Sequence, residues 1–255
     1  MFIGWRLKRQ LVFFGFFAVI ILLLAGYVAY RLFPEASCFD RRQNQGEEQV
    51  DCGGPCGPCM VAHATEPLVI WTRFFEIRPG VFDVAAFIEN ANLSLGASPV
   101  SYTFRLLDAN GGLIVNKRGT TYLLPNQKML VFETGLVAGI RTPTRVTFAL
   151  DPFIWQIGEE QKLPLTVVKT DRAFSDTRPK LTVTLENSSI HDIAHVDVTA
   201  LLSDADGNAI AAGTSQLDKV PDSGRADAVF TWPQPFARAV ADVQVFVRTN
   251  PWGRL

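Results

Sequence analysis

From Leu11 to Tyr30 the chain reads LVFFGFFAVIILLLAGYVAY, with no charged side chain anywhere in the stretch. Few structures can hold such a segment. About 20 residues rising about 1.5 Å each match a bilayer core about 30 Å thick, and lipid offers the backbone no partners, so the segment must be a helix. Arg6, Lys8, Arg9 and the free amine precede it, whereas Arg31 is soon followed by Glu35 and Asp40. That asymmetry places the N-terminus in the cytoplasm. Trp5 on one side and Tyr27 and Tyr30 on the other suit the headgroup belts. The competing reading is a cleaved signal peptide, whose apolar core runs about 7 to 15 residues and ends in an Ala-x-Ala-like site. This core is longer and lacks that site. A lipoprotein would modify Cys38, but Glu35 stands where a lipobox has Leu. Gly15 and Gly26 are not spaced as GxxxG, and the span carries no ionisable residue for transport. The expectation is a retained membrane anchor at residues 11–32 behind a cytoplasmic N-terminus at residues 1–10. It places the chain in the cytoplasmic (inner) membrane as a single-pass protein, with everything that follows extracytoplasmic.

All four cysteines, Cys38, Cys52, Cys56 and Cys59, lie in CFDRRQNQGEEQVDCGGPCGPC, with Gly53, Gly54, Pro55, Gly57 and Pro58 packed among them. That density of turn formers leaves no room for helix or strand. In an exported segment the four read as two disulfides, with three pairings open. Closing a loop of about 15 residues, such as Cys38 to Cys52, contributes about 3 kcal/mol in the chain-entropy model. The alternatives are four zinc thiolates or a redox pair at Cys56 and Cys59; the oxidising compartment favours disulfides over the first, and Gly57 and Pro58 follow no helix start that could lower a thiol pKa for the second. Asp40, Asn44, Glu47 and Asp51 are hard oxygen donors within one loop. A calcium ion tying that loop is one expectation for them; solvated turn and capping groups are the other. No cofactor beyond that calcium is expected.

The segment resembles a known extracellular cysteine motif, written roughly C-x-D-G-x-x-N-x-x-E-x-x-x-D-C-G-G-x-C-x-x-C. Cys38, Asp40, Asn44, Glu47, Asp51, Cys52, Gly53, Gly54, Cys56 and Cys59 fall in register, and Arg41 stands where the motif usually has Gly. The resemblance implies a surface-exposed module placed beside adhesion or β-sandwich domains, and it assigns no reaction.

Beyond a linker the chain repeats itself. Pro67 and Leu68 recur as Pro164 and Leu165, Glu89 and Asn90 as Glu186 and Asn187, Asp108 and Gly111 as Asp204 and Gly207, Pro125 as Pro221, and Val146 and Trp155 as Val243 and Trp252. A period near 97 residues is domain-sized, so this is a tandem pair and not a solenoid. Within each copy the apolar period is two: Tyr102, Phe104 and Leu106 in one, and Leu181, Val183 and Leu185 in the other. Turn signals such as Asp108-Ala-Asn-Gly-Gly and Asp204-Ala-Asp-Gly separate the runs. Short strands with polar outer faces and no amphipathic helix predict an all-β ectodomain of two tandem immunoglobulin-like antiparallel β-sandwiches. It follows one transmembrane helix and a small cysteine-rich module. The expected divisions are cysteine module and linker at residues 33–66, first sandwich at 67–158 and second at 159–255. FRLLD at Phe104 to Asp108 resembles the bacterial Phe-x-Leu-Tyr-Asp sandwich domain, with Leu107 in place of its Tyr; the second copy keeps Leu201, Leu202 and Asp204. That resemblance implies an exported, membrane-tethered sandwich and brings no catalytic residue.

Chemistry is sparse. His191-Asp-Ile-Ala-His195 looks like a damaged HExxH, but that site needs a helix, and four residues of strand span about 13 Å, too far to share a metal. These read as turn histidines. Asp204 and Asp206 suit a hairpin turn better than a calcium site. Asn92-Leu-Ser94 and Asn187-Ser-Ser189 fit glycosylation sequons but read as strand-end turns, and Trp155 and Trp252 as structural plugs. No Ser/His/Asp set, carboxylate pair or phosphate loop is recognisable. With 24 basic against 25 acidic side chains and no basic stripe, a nucleic-acid partner is not expected. The expected role is a noncatalytic, membrane-tethered binding or adhesion protein of the cell envelope, with another protein or a surface polymer as partner. The alternative is a structural subunit of a larger membrane or secretion assembly. An enzyme would require a cleft with perturbed titratable groups between the sandwiches.

Overall fold

The computed structural model describes residues 4–32, 37–174 and 177–253. Glu35, the opening of the cysteine module at 33–36 and the free amine lie outside the described residues. The chain divides into two compact units, Met1–Ala62 and His63–Leu255.

The first unit opens with α1 (Trp5–Leu32). It begins upstream of the expected span because Arg6, Lys8 and Arg9 are good helix formers and Leu7 and Lys8 donate their amides to Gly4 O at 2.9 and 3.2 Å. The helix is long and apolar enough to cross a membrane, and none of its apolar window is buried. Each end carries a cation over an aromatic ring one turn away: Arg9 lies 5.4 Å from the Trp5 ring and Arg31 5.6 Å from the Tyr27 ring. After the cysteine loop a single helical turn, α2 (Cys59–Ala62), follows Pro58, where the turn-rich composition predicted none.

The second unit holds two copies of one six-stranded plan. The first copy comprises β1 (Leu68–Arg78), β2 (Val81–Asn90), β3 (Leu95–Leu107), β4 (Leu113–Leu123), β5 (Gln127–Val137) and β6 (Arg145–Leu150), followed by the short β7 (Gln156–Ile157). The second comprises β8 (Leu165–Ala173), β9 (Lys180–Asn187), β10 (Ile193–Ser203), β11 (Ala209–Val220), β12 (Arg225–Thr231) and β13 (Asp242–Thr249). Each copy has two antiparallel sheets: β1-β2-β5 against β4-β3-β6, and β8-β9-β12 against β11-β10-β13. Inward side chains alternate as the period of two requires. Val84, Ile88, Phe104, Leu106 and Met129 fill the first core, and Leu181, Leu185, Val198, Leu202 and Phe230 the second. Leu68 faces Glu89 whereas Thr166 faces Glu186. The first strands of the copies therefore match one residue further along than the Pro67/Pro164 and Leu68/Leu165 pairs suggest.

The expectation of polar outer faces fails on two of the four sheets. Ala85, Phe87, Leu130, Phe132, Trp71 and Phe75 on the outside of β1-β2-β5 pack against Leu201, Ala212, Ala209 and Phe246 on the outside of β11-β10-β13. The Phe87 and Phe246 rings lie 5.6 Å apart. The sandwiches are thus stacked face to face into four sheet layers. A strand buried on both faces reads as a near-continuous apolar run, which is how VFDVAAFI in β2 and VTALL in β10 read.

Candidate functional site

The cysteines pair as Cys38–Cys56 and Cys52–Cys59. The longer loop is closed by Cys56, not Cys52, and the Cys56/Cys59 pair that a redox site would use does not form. With all four sulfurs in disulfides, none is a thiolate for zinc. Glu47 is buried, with Oε1 3.1 Å from Cys56 Sγ, and its Oε2 accepts the amides of Asn44 and Asp51 at 3.2 and 3.3 Å. Asp51 accepts the Arg41 amide at 3.0 Å, and Asp40 accepts the Arg42 amide at 2.8 Å and Asn44 Nδ2 at 2.7 Å. The Asn44 amide, with the backbone donors, holds the Asp40 carboxyl below its usual range. The four residues weighed for calcium are therefore brought together, each tied to the loop's own polar groups as turns and caps require. Arg41 takes a φ of 59°, a left-handed conformation that costs a non-glycine residue roughly 1 to 2 kcal/mol. That is the physical reason the motif has Gly there.

In the sandwiches the remaining candidates resolve into repeated corner devices. Asp204 Oδ1 accepts the amides of Asp206 and Asn208 at 3.1 and 2.8 Å, while Oδ2 meets Arg238 Nη1 at 2.7 Å. Asp108 does the same with Asn110, Gly112 and Arg141. Each arginine lowers its aspartate's pKa. Asn90 and Asn187 are buried, donating to the carbonyls of Leu95 and Leu124 and of His191, Val220 and Pro221 respectively. Asn92 holds the linker, donating to Thr65 O at 2.7 Å and accepting its amide at 2.9 Å. Both sequon asparagines thus serve as internal fasteners. His191 is exposed ahead of β10, and its neighbour Asp192 pairs with Lys219 at 2.7 Å. Trp155 packs against the first core beside Phe153. Trp252 instead crosses to the first copy, where any Cβ on Gly96 would collide with its ring; the two tryptophans are not structurally equivalent.

A cleft of about 550 Å³ is lined by residues of both stacked sandwiches. Its floor is Tyr122 from β4, whose hydroxyl donates to Asp197 Oδ2 at 2.8 Å; Gln216 Nε2 donates to Asp197 Oδ1 at 3.1 Å. Arg248 lies with its guanidinium 4.4 Å from the centre of the Tyr122 ring. Its Nη1 donates to Tyr122 O at 3.3 Å and approaches Met129 Sδ at 3.1 Å. Tyr102 donates to Glu133 at 2.8 Å. Burial is the main reason both phenols are pushed above their ordinary pKa. His195, on the cleft wall, has a φ of 52°. Sequence reasoning missed this site. The available signal was polar Asp197, Thr199 and Arg248 on the same strand faces as apolar Leu201 and Phe246, a face half fit for packing and half for solvent.

The chain matches no protein-family model and no curated protein. Among solved structures it is similar to red sea bream transglutaminase, at 15% identity and a TM-score of 0.25, covering 73% of this chain and 29% of that one. It is also similar to a β-glucuronidase of glycoside hydrolase family 2, at 8% identity and a TM-score of 0.23, covering 66% of this chain and 24% of that one. The chain thus spans less than a third of either protein.

Proposed function

We propose that the chain is a noncatalytic, membrane-tethered binding protein of the cell envelope, its N-terminus cytoplasmic and its cysteine module and sandwiches outside the inner membrane. The observation that carries this reading is the order of parts: a fully exposed apolar helix flanked by Arg6, Lys8 and Arg9, then a disulfide-closed loop, then two sandwiches. Disulfides persist outside the reducing cytosol, which agrees with the direction the basic flank gives the helix. The cleft supports binding over catalysis. Its two phenols already donate to Glu133 and Asp197, and burial moves their pKa further from the near-neutral range in which a general base works. In living cells, in-membrane crosslinking of the full chain should capture envelope partners that a chain cut after residue 66 loses. Unchanged crosslinks after that deletion would sink the reading.

A further inference from the structure

We infer that the open edge of β13 takes an extended segment of a partner protein as an added strand; this rests on the reading of the chain as an envelope binding protein. β13 lies last in its sheet, bonded to β10 alone, and its residues pair with β10 without a register shift. The Thr249 amide turns away from β10 and donates to Gln161 Oε1 at 3.3 Å. Backbone groups of an antiparallel strand point to alternate sides, so those of Val247, Val245 and Val243 face the same open side. Gln161 closes that side at Thr249, which leaves residues 243–247, about 17 Å of strand, with no strand beside them. The same three valines turn their side chains onto the second core, where they are only half-buried. A strand laid along this edge gains backbone bonds and covers an apolar row at once.

The first copy shows what the second lacks. Its β6 is also last in its sheet, but Thr72 of β1 donates its hydroxyl to Val146 O at 3.1 Å, and Phe153 and Trp155 from the chain beyond β6 pack onto that core. In the second copy Thr170 holds the position of Thr72, opposite Val183 as Thr72 is opposite Ala86. Among the described residues it makes no bond to β13. Trp252, the repeat counterpart of Trp155, lies against Gly96 of the first copy instead. The side between β8 and β13 therefore has neither that latch nor that plug. Other edges are blunted in the ways that keep sheets from pairing with strangers: β8 by a register shift beside Lys169, β12 by Arg225 and Asp227, β4 by Lys117 and Arg118. Between Asp242 and Arg248, β13 carries only Val, Gln and Phe. The segment that fits is free of proline and has an apolar side chain at every second position.

Photocrosslinking of the full chain in living cells tests this, with benzoylphenylalanine placed at exposed Gln244 on β13 or, as a control, at exposed Val229 on β12. Capture of another protein at Gln244 should exceed capture at Val229 by about tenfold or more, and the captured peptide should alternate apolar with other residues. Val245→Pro removes an amide that β10 does not use, so the melting temperature should stay nearly unchanged. Capture at Gln244 should fall about tenfold or more, the effect of losing one or two backbone bonds to the added strand. Should Val245→Pro fail to fold, Val243→Pro, near the start of the strand, takes its place. Capture that survives the proline variant, equal capture at the two positions, a captured segment without alternation, or capture of a second copy of this chain alone would overturn the assignment. No capture at Gln244 beside envelope crosslinks that still require residues 67–255 would remove the strand site and leave the binding reading standing. No capture at Gln244 and deletion-insensitive crosslinks would remove both.

Discussion

The two sandwiches share their plan and corners but not their outer faces. Both keep the buried asparagine, the aspartate turn clasped by an arginine, and a cross-strand ion pair, Glu89 with Lys128 in one and Glu186 with Arg225 in the other. Where the first copy turns Trp71, Phe87, Leu130 and Phe132 outward, strand pairing places Lys169, Thr184, Asp227 and Val229 in the second. Where the second turns Leu201, Ala212 and Phe246 outward, the first has Arg105, Asn116 and Ala149. The contact therefore joins two different sheets of the repeat, a head-to-tail arrangement that could continue indefinitely with further identical copies. The two faces left outside the contact carry Arg105 and Asn116 in the first copy and Lys169, Thr184 and Asp227 in the second, charged and polar groups where the contact itself has apolar ones.

The most severe way to break this difference is to give the second copy the first copy's residue. Leu201→Arg sets an unpaired charge between packed sheets and should cost about 3 to 5 kcal/mol. Denaturant unfolding of the full chain should then show the sandwiches melting separately, and the unaltered chain, whose sandwiches share the packed face, should melt in one transition. A variant that retains a single transition at the original midpoint would show that the stacked face contributes little.

That face marks the limit of what the sequence reveals. The sandwich strands were legible because their inward residues alternate, as Leu181, Val183 and Leu185 do, and because Asp-Gly turns separate them. The anchor was legible because lipid permits one answer to an uncharged run of its length. The stacking was not, because it depends on which outer faces meet. Ala85, Phe87 and Leu201 break the alternation in a way that a single sandwich has no need to explain. The cleft inherits that opacity: Tyr122 belongs to one copy, Asp197 and Arg248 to the other, and no local spacing links them. In the cysteine loop the residues were identifiable but the pairing was not, since composition treats the three connectivities alike.

The shared corners predict equal responses. Asn90→Ala strands two buried carbonyls and Asn187→Ala one buried and two partly buried ones, and each should cost about 2 to 4 kcal/mol. Asn→Asp at either position preserves the shape but removes the donors, and should be as harmful as Ala near neutral pH. If Asp were tolerated there in urea denaturation, the side chain would be acting as a space filler.

The smallest effect belongs to the clasped turns, and pH isolates it. Arg141 and Arg238 hold Asp108 and Asp204 below the ordinary carboxylate range. A carboxyl whose pKa is lower folded than unfolded contributes stability that is fully present above the unfolded value, about 4. That stability disappears as pH falls through the lower folded value. Arg141→Ala and Arg238→Ala should therefore melt slightly below the unaltered chain at pH 7, each by a similar margin. The gap should close as the solution is acidified and the carboxyls protonate in both forms. Surface exposure of the arginines, 45% and 61% at their side chains, keeps the margin small. A gap that stayed constant down to pH 3 would assign the arginines a packing role, and unequal gaps would show that the two copies no longer use the clasp alike.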